Sequence, residues 1–324
     1  MSESEATAAP QRIEANAECP KPEPVVSVVI PTYNNARFLP ETIGSVQAQT
    51  LKQWEIIVVD DGSDDDTAQV MKSLQADVRV RYLPRPHLGV SAARNHGIES
   101  TRGEFIALLD SDDLWPLKEK LEIQAEFLRS RSDVGWIFGE ERHVYVEPKP
   151  RTVEIRNAHL HPAQLKDPVA ISLSMLELCS CRFSLPTSSV MVRRTCLAAT
   201  GGFDTEMDTY EDLDLWIRLN REFPVAFVPR ILVDRKKHSG SLNHSRFECS
   251  KNLQRISDRY SIHRELAAEW MRYHFELARR NASQGRLFAA CAALKGGLRN
   301  RRIYRQLPFP SPEKSGHSEV LGAP

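Results

Sequence analysis

Asp110-Ser111-Asp112 closes the apolar run Phe105–Leu109 and puts two carboxylates one residue apart where a buried strand meets solvent. Hard divalent cations such as Mg²⁺ and Mn²⁺ take oxygen ligands, and Mg²⁺ is commonly held by one or two carboxylates together with substrate phosphates. The pair therefore points to a diphosphate ligand. The same residues also suit a polar strand end, with Asp112 or Asp113 capping a helix that Pro116 opens.

The choice between these roles depends on the elements that carry the pair. Val25 to Ile30 is a β-branched run closed by Pro31, as expected of a parallel strand covered on both faces. Trp54 to Val59 is a second such strand and ends in the polar turn Asp60-Asp61-Gly62-Ser63. Val78 to Leu83 and Glu104 to Leu109 give a third and a fourth. Helices are expected at about 38–49, 65–75, 90–100 and 117–129. This alternation predicts an α/β fold with a doubly wound, mostly parallel, Rossmann-like sheet, and such sheets bind ligands at the carboxyl ends of their strands. Asp110 and Asp112 fall on that edge.

Beyond it, Val134 to Val146 reads as extended. Residues 147–185 read as an irregular, variable insert on the acceptor side, with a helix around 169–178. Thr187 to Arg193 resumes as strand-like, Gly201 to Asp204 as a turn, Glu211 to Glu222 as a helix and Val225 to Asp234 as a strand. The expected domain spans 25–245, between a disordered tail at 1–24 and a C-terminal helical extension at 246–305; 306–324 is expected to be disordered. In the extension Leu266, Trp270, Tyr273 and Leu277 recur at helical spacing, and Gly285 separates them from Leu287 to Leu298. That hairpin suits a structural cap, or a partner or membrane surface through Arg299, Arg301, Arg302 and Arg305.

Bulk properties narrow the function classes. The 43 Lys and Arg balance 43 Asp and Glu, so no whole-chain charge suggests nucleic acid as a partner. The six cysteines lack CxxC or Cys/His metal spacing, which argues against a structural zinc site or a disulfide scaffold. The first residues lack the basic start and apolar core of a signal peptide, and no apolar run approaches the roughly 20 residues of a membrane span. A soluble, cytoplasmic protein is expected.

Five segments occur together in order: Val26-Ser-Val-Val-Ile-Pro-Thr-Tyr-Asn34, Ile57-Val-Val-Asp-Asp-Gly-Ser63, Gly89-Val-Ser-Ala-Ala-Arg-Asn-His-Gly97, Leu108-Leu-Asp-Ser-Asp-Asp113 and Tyr210-Glu-Asp-Leu-Asp-Leu-Trp216. In order and spacing they resemble the family 2 glycosyltransferases of GT-A fold, over about Val25 to Ser245. The resemblance implies transfer of a sugar from a nucleotide-diphosphate donor, with a UDP-sugar favoured, to an acceptor hydroxyl, with inversion at the anomeric carbon. It implies a glycan or lipid-linked acceptor in cell-surface polysaccharide or glycoconjugate synthesis, and so a peripheral contact at the inner membrane face through the basic C-terminal helix.

Each position has a physical reading beside that resemblance. The ring of Tyr33 suits stacking on a nucleobase and the Pro31 carbonyl can accept from it, although Tyr33 could equally pack on the first helix. Asp61 matches the family position that accepts the imide N–H of uracil or thymine; Asp60 suits capping of Gly62-Ser63. Arg94 suits the diphosphate or an ion pair. Asp110, Ser111 and Asp112 correspond to the family's DxD motif, with Asp112 on an Mn²⁺ or Mg²⁺ ion, Asp110 on ribose or metal, and Asp113 as support or helix cap. His238, with Lys236, Lys237 and Ser241 around it, matches a histidine that in relatives reaches the metal or diphosphate, and His244 is the fallback. Asp212 is the expected general base, Glu211 orients the site and Asp214 is a solvated neighbour. Without the resemblance, Glu211 and Asp212 would read as favourable charge at a helix N-terminus. A sugar-1-phosphate nucleotidyltransferase would show a Gly-rich basic loop where this chain has Pro31-Thr-Tyr-Asn-Asn; a non-catalytic nucleotide-sugar-binding scaffold is the other alternative.

Overall fold

The computed structural model describes residues 23–145, 151–155, 167–174, 178, 184–207, 209–238 and 251–260, with the single positions 275, 279 and 295. The N-terminal tail, most of the insert, Ser241, His244, the helical hairpin beyond 260 with its basic cluster, and the C-terminal tail lie outside the described residues.

Strands β1 (Val26–Thr32), β2 (Trp54–Asp60), β3 (Val80–Pro84) and β4 (Phe105–Leu108) alternate with helices α1 (Leu39–Gln47), α2 (Thr67–Leu74) and α3 (Val90–Glu99). They pair in parallel in the order β3-β2-β1-β4, with Val29 opposite both Ile57 and Leu108. Every residue of β1 and β2 is buried, because helices cover both faces. Val26, Val28 and Ile30 pack with Leu39, Ile43 and Val46 of α1 on one face, and Ile57 and Val59 meet Ala93 of α3 on the other. Gly97 lets α3 approach this closely: a Cβ there would stand 2.5 Å from Val29 Cγ1.

After the two-residue strand β5 (Asp113–Leu114) and helix α4 (Lys120–Ser130), the sheet continues through β6 (Trp136–Tyr145), β7 (Arg151–Ile155), β8 (Val169–Ile171), β9 (Met191–Arg193) and β10 (Val225–Lys237). The order extends as β4-β9-β6-β10-β5, with β7 beside β6 and β8 beside β10. β9 runs antiparallel to both β4 and β6, so the sheet is parallel in its N-terminal half and mixed beyond it. Helices α5 (Arg194–Thr200) and α6 (Glu211–Glu222) precede β10, and α7 (Lys251–Tyr260) follows it. Trp136 of β6 stacks on Trp216 of α6, with ring centroids 5.6 Å apart and planes 10° from parallel, which fixes α6 on the sheet.

The structure corrects four local expectations. Residues 169–171 are a strand where a helix was expected, because they pair antiparallel with Val225 to Phe227 of β10. Thr187–Ser189 is a single 3-10 turn rather than extended chain. Asp113 opens β5 instead of capping a helix; α4 begins only at Lys120. Helix α5 was not expected, although Gly201 in the left-handed region at its end is the usual stop signal.

Candidate functional site

The carboxyl ends of the parallel strands supply the frame. β4 ends at Leu108, the Leu109 amide donates to the Val29 carbonyl at 3.1 Å, and the chain turns, with the Asp113 amide donating to the Asp110 carbonyl at 3.1 Å. Aspartate is favoured at the first position of such a turn. The turn is tied back on both sides. Asn35 Nδ2 donates to Ser111 Oγ at 2.9 Å, and Thr42 Oγ1 donates to the Ser111 and Asp113 carbonyls at 2.8 and 3.0 Å. Ser188 Oγ accepts from the Asp110 amide at 3.1 Å and donates to Asp113 Oδ2 at 2.6 Å.

The two acidic pairs, a hundred residues apart in sequence, meet through one arginine. Arg94, buried on α3, donates from Nη2 to Asp110 Oδ1 at 2.7 Å and from Nη1 to Glu211 Oε1 at 2.6 Å. Burial works against the guanidinium charge, but Asp110 and Glu211 together hold it above its usual range. Burial and the adjacent Asp212 push the Glu211 carboxyl up, and Arg94, shared with Asp110, offsets this only in part. Glu211 is thus buried beneath Arg94 rather than projecting outward. Asp212 remains half-buried, with Oδ2 accepting from Thr187 Oγ1 at 3.1 Å.

On the far side of the turn, Asp112 Oδ2 lies 3.1 Å from His238 Nε2, and the histidine ring packs on Phe38 at 4.7 Å between centroids. Burial raises the Asp112 carboxyl and the neighbouring Asp110 adds to this, while His238 opposes it. Burial pushes Asp113 well above the usual range, with Asp110 adding to the push and Arg235 opposing it. Asp113 faces Arg235 across the β5–β10 register. Among the described residues, no group of three or more His, Cys, Asp or Glu side chains is arranged to hold a metal ion. Asp112 and His238 are together; Asp110 is turned to Arg94.

The ends of β1 and β2 make the remaining wall. Thr32 and Val29 carbonyls accept from Asp61 and Leu109 respectively, so strand alternation aims the Pro31 carbonyl past the end of β4, toward the Asp110 turn. Tyr33 is 46% exposed and lies against His87, 4.3 Å between centroids, rather than on α1. Asp61 is buried: its two oxygens accept the Leu88 and Gly89 amides at 3.0 and 2.8 Å, and His87 Nδ1 lies 2.9 Å from Oδ2. Gly89, at φ +92°, shapes the backbone that makes these bonds. Asp60 accepts the Ser63 amide at 2.9 Å, the turn-capping role expected of it.

Thr187, Ser188, Asn35, His87 and Arg235 were not singled out from sequence. Ser and Thr in a 3-10 turn carry no spacing signal, and Arg235 reaches the site only through strand pairing. Asp214, expected in solvent, is fully buried.

Residues 27–172 match the Glycosyl transferase family 2 model, and this part of the chain is a family 2 glycosyltransferase domain. An uncharacterized glycosyltransferase of Rickettsia conorii is 32% identical over 218 residues, covering 67% of this chain and 33% of that one. The putative teichuronic acid biosynthesis glycosyltransferase TuaG of Bacillus subtilis is 40% identical over 113 residues, 34% of this chain and 44% of that one. The chain spans about a fifth to a third of the length of the Rickettsia felis, R. conorii and R. bellii relatives it matches. S. aureus TarS 1–349, solved in complex with UDP-GlcNAc, superposes with a TM-score of 0.55 at 18% identity over 87% of this chain and 91% of that one. The fold is the GT-A fold of that neighbour.

Proposed function

We propose that this chain transfers a sugar from a UDP-sugar to an acceptor hydroxyl with inversion at the anomeric carbon, in the synthesis of a cell-surface polysaccharide or glycoconjugate. The observation that carries this reading is the Arg94 bridge, which joins Asp110 of the donor-side turn to Glu211 beside Asp212. The UDP-GlcNAc complex of TarS and the teichuronic acid assignment of TuaG support the donor and the product class.

In this account Tyr33 and the Pro31 carbonyl hold the base from the end of β1, Asp61 shapes the loop that closes over it and accepts its imide N–H, and Ser111 holds the donor turn in place. Asp212 takes the acceptor hydroxyl proton as the acceptor oxygen attacks the anomeric carbon. The bond from that carbon to the diphosphate breaks, and the nucleoside diphosphate leaves with the electron pair. A single displacement of this kind inverts the centre. Glu211, fixed by Arg94, keeps its neighbour Asp212 oriented.

Asp112 and His238 present oxygen and nitrogen donors 3.1 Å apart, a set that suits Mn²⁺ taken up together with substrate phosphates, whereas Mg²⁺ would use the oxygen donors alone. Asp112 and His238 would hold that ion, joined by Asp110 if Arg94 releases it; the ion when bound supplies charge stabilisation for the departing diphosphate. Incubation with UDP-, GDP- and dTDP-sugars plus Mn²⁺, with release of the nucleoside diphosphate followed, tests the reading. Release from a UDP-sugar is expected; no release from any donor with a range of glycan and lipid-linked acceptors would refute it.

A further inference from the structure

Helix α7 lies beyond the matched residues 27–172, as the acid pair does, and its side chains reach the segment that delivers that pair. Asn252 Nδ2 is 3.2 Å from both the carbonyl and Oγ1 of Thr209. Arg255 Nη1 donates to the Glu206 carbonyl at 2.9 Å. Arg259 spans two carboxylates, Asp204 Oδ2 and Asp214 Oδ1, each at 2.7 Å, and Tyr260 donates its hydroxyl to the same Asp214 oxygen at 2.7 Å. Asp214 also receives Arg218 from its own helix at 2.9 Å. Ile256, with no exposed surface, sits in the core cluster that includes Phe203, Met207 and Trp216.

The segment held in this way is strained. Tyr210, directly before Glu211, adopts a left-handed backbone at φ +60°, a conformation that a bulky residue keeps only where its surroundings over-determine it. Bonds on both sides of Tyr210, at Thr209 and Asp214, come from α7. We infer that α7 is a positioning element for the acid pair: Arg259 and Tyr260 act through Asp214, and Asn252 and Arg255 through the 204–209 loop, to hold Asp212 where it meets the acceptor. Removing these bonds lowers turnover and leaves donor binding intact. The inference rests on Asp212 being the base.

The test uses the full chain, with Arg259→Met, the milder Tyr260→Phe, and Arg129→Met as a control at an exposed ion pair remote from the site. Three quantities are read: amide hydrogen exchange of residues 204–214 without ligand, UDP affinity, and the rate of UDP release from UDP-GlcNAc with Mn²⁺ and water as acceptor. Arg259→Met is expected to speed exchange of 204–214 about tenfold and to lower the release rate about tenfold or more, with UDP affinity within about twofold. Tyr260→Phe should show the same pattern more weakly, and Arg129→Met none of it. Unchanged exchange at 204–214, or a loosened segment with full turnover, overturns the inference. Asp212→Asn measured alongside separates the two readings: if it is fully active the base assignment fails, whatever the exchange data show of α7.

Discussion

Arg94 and Asp110 form a 2.7 Å ion pair in which the arginine is buried and the aspartate side chain is 31% exposed. The aspartate can therefore meet a ligand while the arginine cannot leave the interior. Because the second arm of the same guanidinium holds Glu211, donor-side and acceptor-side carboxylates share one counter-charge.

Removing that charge should be costly. Arg94→Met leaves Glu211 buried without its cation, and loss of one partner of a buried pair typically costs about 3–5 kcal/mol. Arg94→Lys should recover only part of this, since one ammonium cannot reproduce a fork spanning two carboxylates. Urea unfolding of the three proteins at pH 7 checks the order. Equal stability of wild type and Arg94→Met would contradict the bridge.

Gly97 tests the packing of α3 on β1 and β2. A methyl group there meets Val29 Cγ1 at 2.5 Å and Val59 Cγ2 at 3.1 Å, so Gly97→Ala should destabilise by about 1–3 kcal/mol through overpacking. Val29→Ala makes room for that methyl. The double variant should thus be more stable than the sum of the single effects, which a double-mutant cycle measures directly.

The organisation of this sheet edge was legible in the sequence because its signals are local. Continuous β-branched runs marked β1 and β2, and each polar cluster after a strand, Asp60-Asp61 or Asp110 to Asp113, fell at the carboxyl end where a parallel sheet binds ligands. What the sequence hid was pairing. Arg94 could be read as a phosphate ligand or an ion pair from its own neighbours, and only the fold brings Asp110 and Glu211 to it. Asp214 looked solvated at the exposed start of a helix, because its partners Arg259 and Tyr260 lie 45 and 46 residues further along.

Glu141 of β6, paired with Arg235 at 3.2 Å, gives the sheet an acid-sensitive anchor. Burial alone would raise its carboxyl, but the His143 contact, Arg235 and the Ser184 hydroxyl hold it down to about 2. The unfolded value is about 4.3, so its contribution is complete above that pH and is lost as pH falls from there toward 2. Glu141→Gln should be less stable than wild type by about 2–3 kcal/mol at pH 7. That gap should narrow to about half by pH 3. Denaturant midpoints at pH 7 and pH 3 measure it, and a gap independent of pH would show that Glu141 is not held as an anion.

Lys120 predicts the opposite end of the scale. It is fully buried, with Nζ donating to Gln124 Oε1 at 2.8 Å and lying 3.9 Å from the Trp115 ring centre. Burial lowers its pKa well below the usual value. Folding therefore releases this proton between the lowered folded value and about pH 10.4, and the Lys120 contribution to stability rises with pH across that window. Relative to Lys120→Met, whose lost Gln124 bond counts equally at every pH, wild type should gain stability between pH 8 and 9.5. Parallel unfolding curves at both values would rule this out.

The central claim is that Asp212 takes the acceptor proton during sugar transfer from a UDP-sugar. Asp212→Asn keeps the shape of the residue and its place beside Thr187 while removing its basicity. With Mn²⁺ and the UDP-sugar that the wild type turns over, the release of UDP should fall about a hundredfold or more in this variant, while UDP affinity stays within about twofold. Release at the wild-type rate would contradict the account.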